Sequence, residues 1–142
     1  MVEKRKFFEV ELPIINQKIG LLATTEKELA ERTIKIDLTR KLRGKSLEAI
    51  FKIKLVDNII KILPYRLHLL GYFIRRMMRK SINYVEDSFL AESKNAVLRI
   101  KPFLITRKKV SRAVRKALRD KTKENIAETI KEENYQDVFS DI

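Results

Sequence analysis

The side chains in this chain that could do chemistry are overwhelmingly cationic, and they recur at spacings that gather them. Arg107, Lys108 and Lys109 lead into a stretch carrying Arg112, Arg115, Lys116 and Arg119. Within it Lys108, Arg112, Arg115 and Arg119 fall at i, i+4, i+7 and i+11, the period of one helix face. A second set, Arg75, Arg76, Arg79 and Lys80, closes another amphipathic segment. A third, Arg40, Lys41, Arg43 and Lys45, lies around Gly44 in a basic connection. Groups so placed neutralise phosphates and release counterions, and arginine can also grip a phosphate bidentately or stack on a base. Catalysis has no such signature: there is no nucleophile–base pair, no glycine-rich phosphate loop and no metal-ligand spacing. Cysteine is absent and His68 is the single histidine, which excludes disulfides, thiolate zinc sites, cysteine nucleophiles and histidine-rich metal sites. The chain reads as a binding protein, not an enzyme, with no cofactor and no metal.

Composition points the same way. Among 142 residues, 32 Lys and Arg stand against 19 Asp and Glu, a formal net charge of +13. That excess costs self-repulsion in isolation and is complementary to a polyanion, either nucleic acid or an anionic membrane. A 44% hydrophobic content suffices for a core. The lack of cysteine suits a reducing compartment. The stretch MVEKRKFFEVELP is charged before it is apolar, and no small-residue cleavage site follows a long enough apolar run, so no targeting segment is expected. The greasiest stretch, 59–74, is broken by Lys61, Pro64, Arg66 and His68, short of the roughly 20 apolar residues that a membrane span needs. The expectation is a soluble cytoplasmic chain with no membrane partner.

The elements that must position these cations follow from periodicity. Residues 7–12 alternate Phe8, Val10 and Leu12 against Glu9 and Glu11 until Pro13, an edge strand. Residues 14–24 form a second strand, with Gly20 marking a bulge or bend. Thr25 and Glu28 have capping-box spacing, so 25–30 is one helical turn, with a polar loop as the alternative. Residues 33–38 alternate cleanly. Residues 47–56 put Ala49, Phe51, Ile53 and Leu55 on one face and Lys52 and Lys54 on the other, a solvated face in preference to a ligand contact. Asp57-Asn58 turns the chain into 59–67, where Pro64 calls for an edge or bulge. A helix over 69–80 carries the second basic set. Residues 81–91 and 95–106 read as two strands joined by a polar turn at 92–95.

The last basic segment has its own apolar stripe, Val110, Ala113, Val114, Ala117 and Leu118, expected to dock on a core. The tail beyond it is acidic, with Ile126, Ile130, Tyr135, Val138 and Phe139 needing cover from the sheet or from another protein. The whole is read as one α+β domain over 1–142: 1–106 mostly β with one helix near 69–80, and a helical end over 107–142. Tyr72, Tyr84 and Phe7 are expected to be core or cross-strand partners more often than stacking platforms, and His68 a surface or boundary residue.

Several short motifs, in order, resemble the archaeal and eukaryotic small-subunit ribosomal protein family S-one-e, formerly S-three-A-e. Phe7-Phe8-Glu9-Val10 with Pro13 is similar to its aromatic-aromatic-acid-valine segment ending in proline. Ile19-Gly20 with Leu21-Leu22-Ala23-Thr24 resembles its Ile-Gly-x-x-Leu strand. The run LAERTIKIDL over 29–38 resembles its Leu-x-Gly-Arg-x-x-Glu-Val-x-Leu strand, with Glu31 in place of the glycine. Leu98-Arg99-Ile100-Lys101-Pro102 with Ile105-Thr106-Arg107 resembles its Leu-Arg-x-Lys-Pro-x-x-Ile-Thr segment, and Ser111-Arg112-Ala113-Val114-Arg115-Lys116 its basic helix start. The family's Leu-Thr-Arg-Asp-Tyr motif is replaced by Leu69-Leu70-Gly71-Tyr72-Phe73, although Arg75-Arg76 and Arg79-Lys80 match the basic helix after it.

The resemblance implies an antiparallel β-barrel-like domain flanked by amphipathic helices, on the small-subunit platform near the messenger exit. There it would bind the 3′ region of small-subunit ribosomal RNA and neighbouring platform proteins as a structural constituent in translation, without forming a homo-oligomer. The rival readings are a free-standing RNA-binding or chaperone protein, a basic membrane-surface protein, and an adaptor using the acidic tail.

Overall fold

The computed structural model describes residues 3–13, 16–40 and 46–140. The chain divides into two compact units, 1–73 and 74–142. The sequence reads as one domain whose helical end begins at 107; the division by contacts falls earlier, inside a short helix.

The first unit is built from five strands. β1 (Lys6–Leu12) pairs antiparallel with β2 (Gln17–Ala23) in unbroken register. β3 (Thr33–Asp37), β4 (Leu47–Val56) and β5 (Ile59–Leu69) form an antiparallel sheet in that order. Period-two alternation decides the faces. Phe8, Val10, Leu12, Ile19, Leu21 and Ala23 point inward from the ribbon and meet Ile34, Leu38, Ala49, Phe51, Ile53 and Ile62 of the sheet. Phe51, Leu12, Leu29, Leu38 and Ile53 are completely buried, each worth about 1.5–3 kcal/mol of apolar transfer. Among the described residues these layers do not close into a barrel, so the expected antiparallel α+β class is found without that closure.

Local chemistry explains the irregular points. Asp57 and Asn58 both have positive φ (51° and 58°), the conformation that a two-residue hairpin turn matched to strand twist requires. Pro64 lacks an amide N–H, and the register of β4 on β5 slips beside it: Phe51 pairs with Pro64 but Ile50 with Arg66, leaving Tyr65 as the extra residue of a bulge. Gly20, by contrast, sits in regular strand. A Cβ there would lie 3.4 Å from the Phe7 ring, at the edge of ordinary van der Waals contact, so the position faces an aromatic neighbour and does not bend the chain. Residues 26–29 make a single 3₁₀ turn capped by Thr25, but the Thr25 side chain makes no capping bond. The Glu28 carboxylate instead accepts from the Thr24 N–H (3.1 Å) and hydroxyl.

α1 (Gly71–Met77) is shorter than the helix expected over 69–80, because β5 continues through Leu69. In the second unit, the two long strands expected over 81–91 and 95–106 are each broken once, giving β6 (Tyr84–Glu86), β7 (Phe89–Glu92), β8 (Val97–Ile100) and β9 (Phe103–Ile105). β7 pairs with β8 and β6 with β9, so the breaks at 87–88 and 101–102 fall opposite each other in one long bent hairpin. Pro102 cannot donate to a ladder, which accounts for the break on its side. α2 (Arg112–Lys131) and α3 (Tyr135–Ser140) follow. The tail folds back on this unit's own sheet: Ile126, Ile130 and Val138 pack with Phe89, Ala91, Leu98 and Ile100.

Candidate nucleic-acid interface

The basic segment before α2 is held by two polar side chains of the hairpin. The Thr106 hydroxyl donates to the Lys108 carbonyl (2.7 Å) and accepts from the Asn83 N–H (2.9 Å), while the Asn83 side-chain oxygen accepts from the Val110 N–H (2.9 Å). Between these anchors Arg107, Lys108 and Lys109 are exposed. Ser111 then caps the helix, its hydroxyl accepting from the Val114 N–H at 3.3 Å. Arg112 and Lys116 project into solvent from the first turns, and no acidic residue occupies the first turn. A helix N-terminus carries roughly half a unit of positive charge from its peptide dipoles, so cations there are destabilising neighbours. Their accumulation makes sense as complementarity to an anion, which gains from both the dipole and the side chains.

The helix is rotated relative to the expectation from sequence. Ala113, Val114 and Ala117 of the expected docking stripe face outward, with Val114 44% exposed, whereas Val110 and Leu118 of the same stripe are half-buried. Ile126 and Ile130 carry more apolar area and decide which face turns inward, and at 100° per residue Arg115 and Arg119 share that face. Arg115 is accordingly half-buried, its Nε buried without a hydrogen-bond partner, and Arg119 Nε donates to the Glu86 carbonyl at 3.2 Å. These two arginines, assigned from sequence to the ligand, contribute to docking α2. Arg107, Lys108, Lys109, Arg112 and Lys116 form an exposed cationic cluster, and Arg119 is exposed as well although its Nε is engaged.

Of the second set, Arg75 and Arg76 lie in the last turn of α1 and Arg79 and Lys80 just past it, all exposed. Arg40 is exposed after β3, where the Asp37 carboxylate accepts from the Thr39 N–H (2.8 Å) and hydroxyl. Lys41, Arg43 and Lys45 lie outside the described residues. His68 is half-buried, with Nε2 3.4 Å from Glu48 and Nδ1 buried and unpartnered. The aromatics combine cross-strand contact with exposure: Tyr84 packs on Phe103 of the partner strand (ring centroids 5.5 Å apart) and the Phe7 ring lies against Gly20, yet Phe7 is 75% and Tyr65 62% exposed, and Tyr72 and Tyr84 are also exposed. Only the proline before Tyr65 hinted at this, by signalling the bulge.

Among the described residues a shallow cleft of about 310 Å³ between α2 and α3 is lined by Asn125, Ile126, Thr129, Ile130, Glu133 and Val138, and another of about 400 Å³ beside the 26–29 turn by Lys6, Phe8, Thr24, Thr25, Glu26, Lys27, Leu55 and Asn58. No helix among the described residues is long and apolar enough to cross a membrane. A scan against models of known protein families matches none of them, and a search of curated proteins finds no match.

Proposed function

We propose that this chain binds structured RNA through the cluster at the start of α2, as a structural constituent of the small ribosomal subunit. The observation that carries the RNA reading is the exposed group Arg107, Lys108, Lys109, Arg112 and Lys116, fixed by Asn83 and Thr106 at the positive end of a 20-residue helix. Structured RNA is recognised chiefly through shape, phosphates and 2′-hydroxyls, which such a cluster serves without base-specific contacts. Arg75, Arg79 and Lys80 extend the cationic surface of the same unit.

The ribosomal part rests on the motif resemblance, and one backbone feature supports it. Glu31 has φ 65°, a left-handed conformation that costs a non-glycine residue energy. It is the position where the S-one-e motif carries glycine. Platform location, the 3′ RNA region and platform-protein neighbours follow from that resemblance alone.

Two measurements test the reading. On sucrose gradients of cell extract the protein sediments with small subunits at low salt, and its absence from those fractions would sink the ribosomal assignment. In filter binding to small-subunit RNA fragments, the double variant Arg112→Ala, Lys116→Ala lowers the slope of log K against log salt by about 1.8 for two phosphate contacts on duplex. An unchanged slope would remove α2 from the interface.

A further inference from the structure

The cluster on α2 accounts for charge in the second unit only. Residues 1–73 carry 15 Lys and Arg against 9 Asp and Glu, and much of that excess lies on one surface, the outer face of the β3–β4–β5 sheet. By the strand register this face presents Thr33, Lys35 and Asp37 from β3, and Glu48, Ile50, Lys52, Lys54 and Val56 from β4. From β5 it presents Ile59, Lys61, Leu63, Arg66 and His68. Its acids are already engaged. Glu48 lies 3.4 Å from both Lys35 and His68, and Asp37 binds Thr39. Lys52 is taken by Glu31 at 2.8 Å. Lys61 and Arg66 form no salt bridge among the described residues, and Lys54 forms none either, sharing only the longer-range field of Glu31, which Lys52 already holds. Lys54 and Lys61 are moreover direct cross-strand partners, and like charges opposite each other destabilise a sheet. The face is therefore built with a cost that an anion would relieve.

An aromatic ring stands among these cations. The bulge beside Pro64 places Tyr65 on this face, with Lys52 Nζ 5.8 Å from its ring centroid and the residue 62% exposed. Val56 and Ile59, also exposed, continue the apolar surface at the hairpin end. Lysines beside an open aromatic ring on a flat sheet match the chemistry of unpaired nucleotides, whose phosphates need cations and whose bases need a π-face. Paired helices hide their base faces and could not use the ring. From the Lys54–Lys61 pair to the Ile50–Arg66 pair is four residues of strand, about 14 Å, room for a short unpaired run.

We propose that the outer face of β3–β4–β5 binds a single-stranded segment of nucleic acid, with one base stacked on Tyr65 and phosphates held by Lys54, Lys61 and Arg66. This surface belongs to the first unit, the α2 cluster to the second, and it does not require the ribosomal assignment.

The test uses the full chain with fluorescein-labelled 12-nucleotide oligouridylate and oligothymidylate, read by anisotropy. An RNA hairpin and a glutamate-rich dodecapeptide serve as comparison ligands. Tyr65→Ala weakens oligonucleotide binding about tenfold, in the range of base–aromatic stacking, while Tyr65→Phe stays near the parent. The double variant Lys54→Ala, Lys61→Ala lowers the salt slope on the single strand by about 1.4. Binding of both oligonucleotides, or of the RNA alone, with this Tyr65 dependence supports the site and says whether the 2′-hydroxyl contributes. Tyr65→Ala binding like the parent overturns it, as does Tyr65→Phe as weak as the alanine variant. So does a dodecapeptide that displaces the oligonucleotide as well as unlabelled oligonucleotide does. Should Tyr65→Ala fail to fold by circular dichroism, photo-crosslinking the parent to 4-thiouridine oligonucleotide decides instead: adducts in β5 peptides support the proposal, and adducts confined to 74–142 overturn it. Arg112→Ala, Lys116→Ala separates the two readings, since it weakens hairpin binding and leaves the Tyr65-dependent binding in place.

Discussion

Glu31 combines a strained backbone with a useful side chain. Its left-handed φ aims the carboxylate at Lys52, whose ammonium then lies over Tyr65. The hydrogen bond and charge of Lys52 hold the Glu31 carboxyl below the usual carboxylate range, and Glu31 in turn raises Lys52. A lowered carboxyl contributes stability above its unfolded pKa and loses it as pH falls through the folded value. A raised lysine contributes below its unfolded pKa and loses it as pH rises through the folded value. The pair therefore supports the fold across neutral pH and fails at both extremes. Glu31→Gln, which keeps the backbone demand, gives a melting-temperature profile with a shallower fall on both limbs. Part of the acid fall persists, because Glu28 and Asp37 are also lowered, by their hydrogen bonds to Thr24 and Thr39. Superimposable profiles would mean that the pair contributes nothing. Neither the pair nor the ring over it was legible in the sequence, since a positive φ at a glutamate and a cross-strand meeting both depend on register.

Strands were more legible than helices. The alternation in β4 and the Asp57-Asn58 turn follow from side-chain type alone, and the structure places both as read. The α2 stripe did not, because small alanines at helical spacing resemble a docking face until the larger Ile126 and Ile130 further along are included in the same helix. For the same reason the half-burial of Arg115 and the bond of Arg119 Nε to the Glu86 carbonyl were not foreseen, while the breaks at 87–88 and 101–102 needed the pairing of β6 to β9 to be seen. The start of α2 gives an element-scale prediction. Ser111→Ala costs about 1 kcal/mol in urea unfolding, the usual loss of a helix cap. Ser111→Asp keeps the cap but sets a negative charge among Arg107, Lys109 and Arg112, so it retains stability and binds RNA more weakly than the parent. Equal RNA binding by the aspartate variant would place the interface elsewhere.

Across the whole molecule, positive charge is shared almost evenly, with 17 Lys and Arg against 10 Asp and Glu in 74–142. Core is not shared evenly. Among the described residues most completely buried side chains belong to the first unit, and of the six largest only Val85 comes from the second. Charge repulsion thus weighs on the unit with the thinner core, and a bound polyanion stabilises it by mass action. Within that unit α2 has a further property. Cations crowd its beginning, while Glu124, Glu128, Glu132 and Glu133 gather towards its end, so side chains and peptide dipoles add instead of opposing each other. The helix is an electric moment along its own axis. In the field of a polyanion it feels a torque before any contact forms, and it arrives basic end first. Stopped-flow measurements should accordingly find that added salt slows association far more than it hastens release.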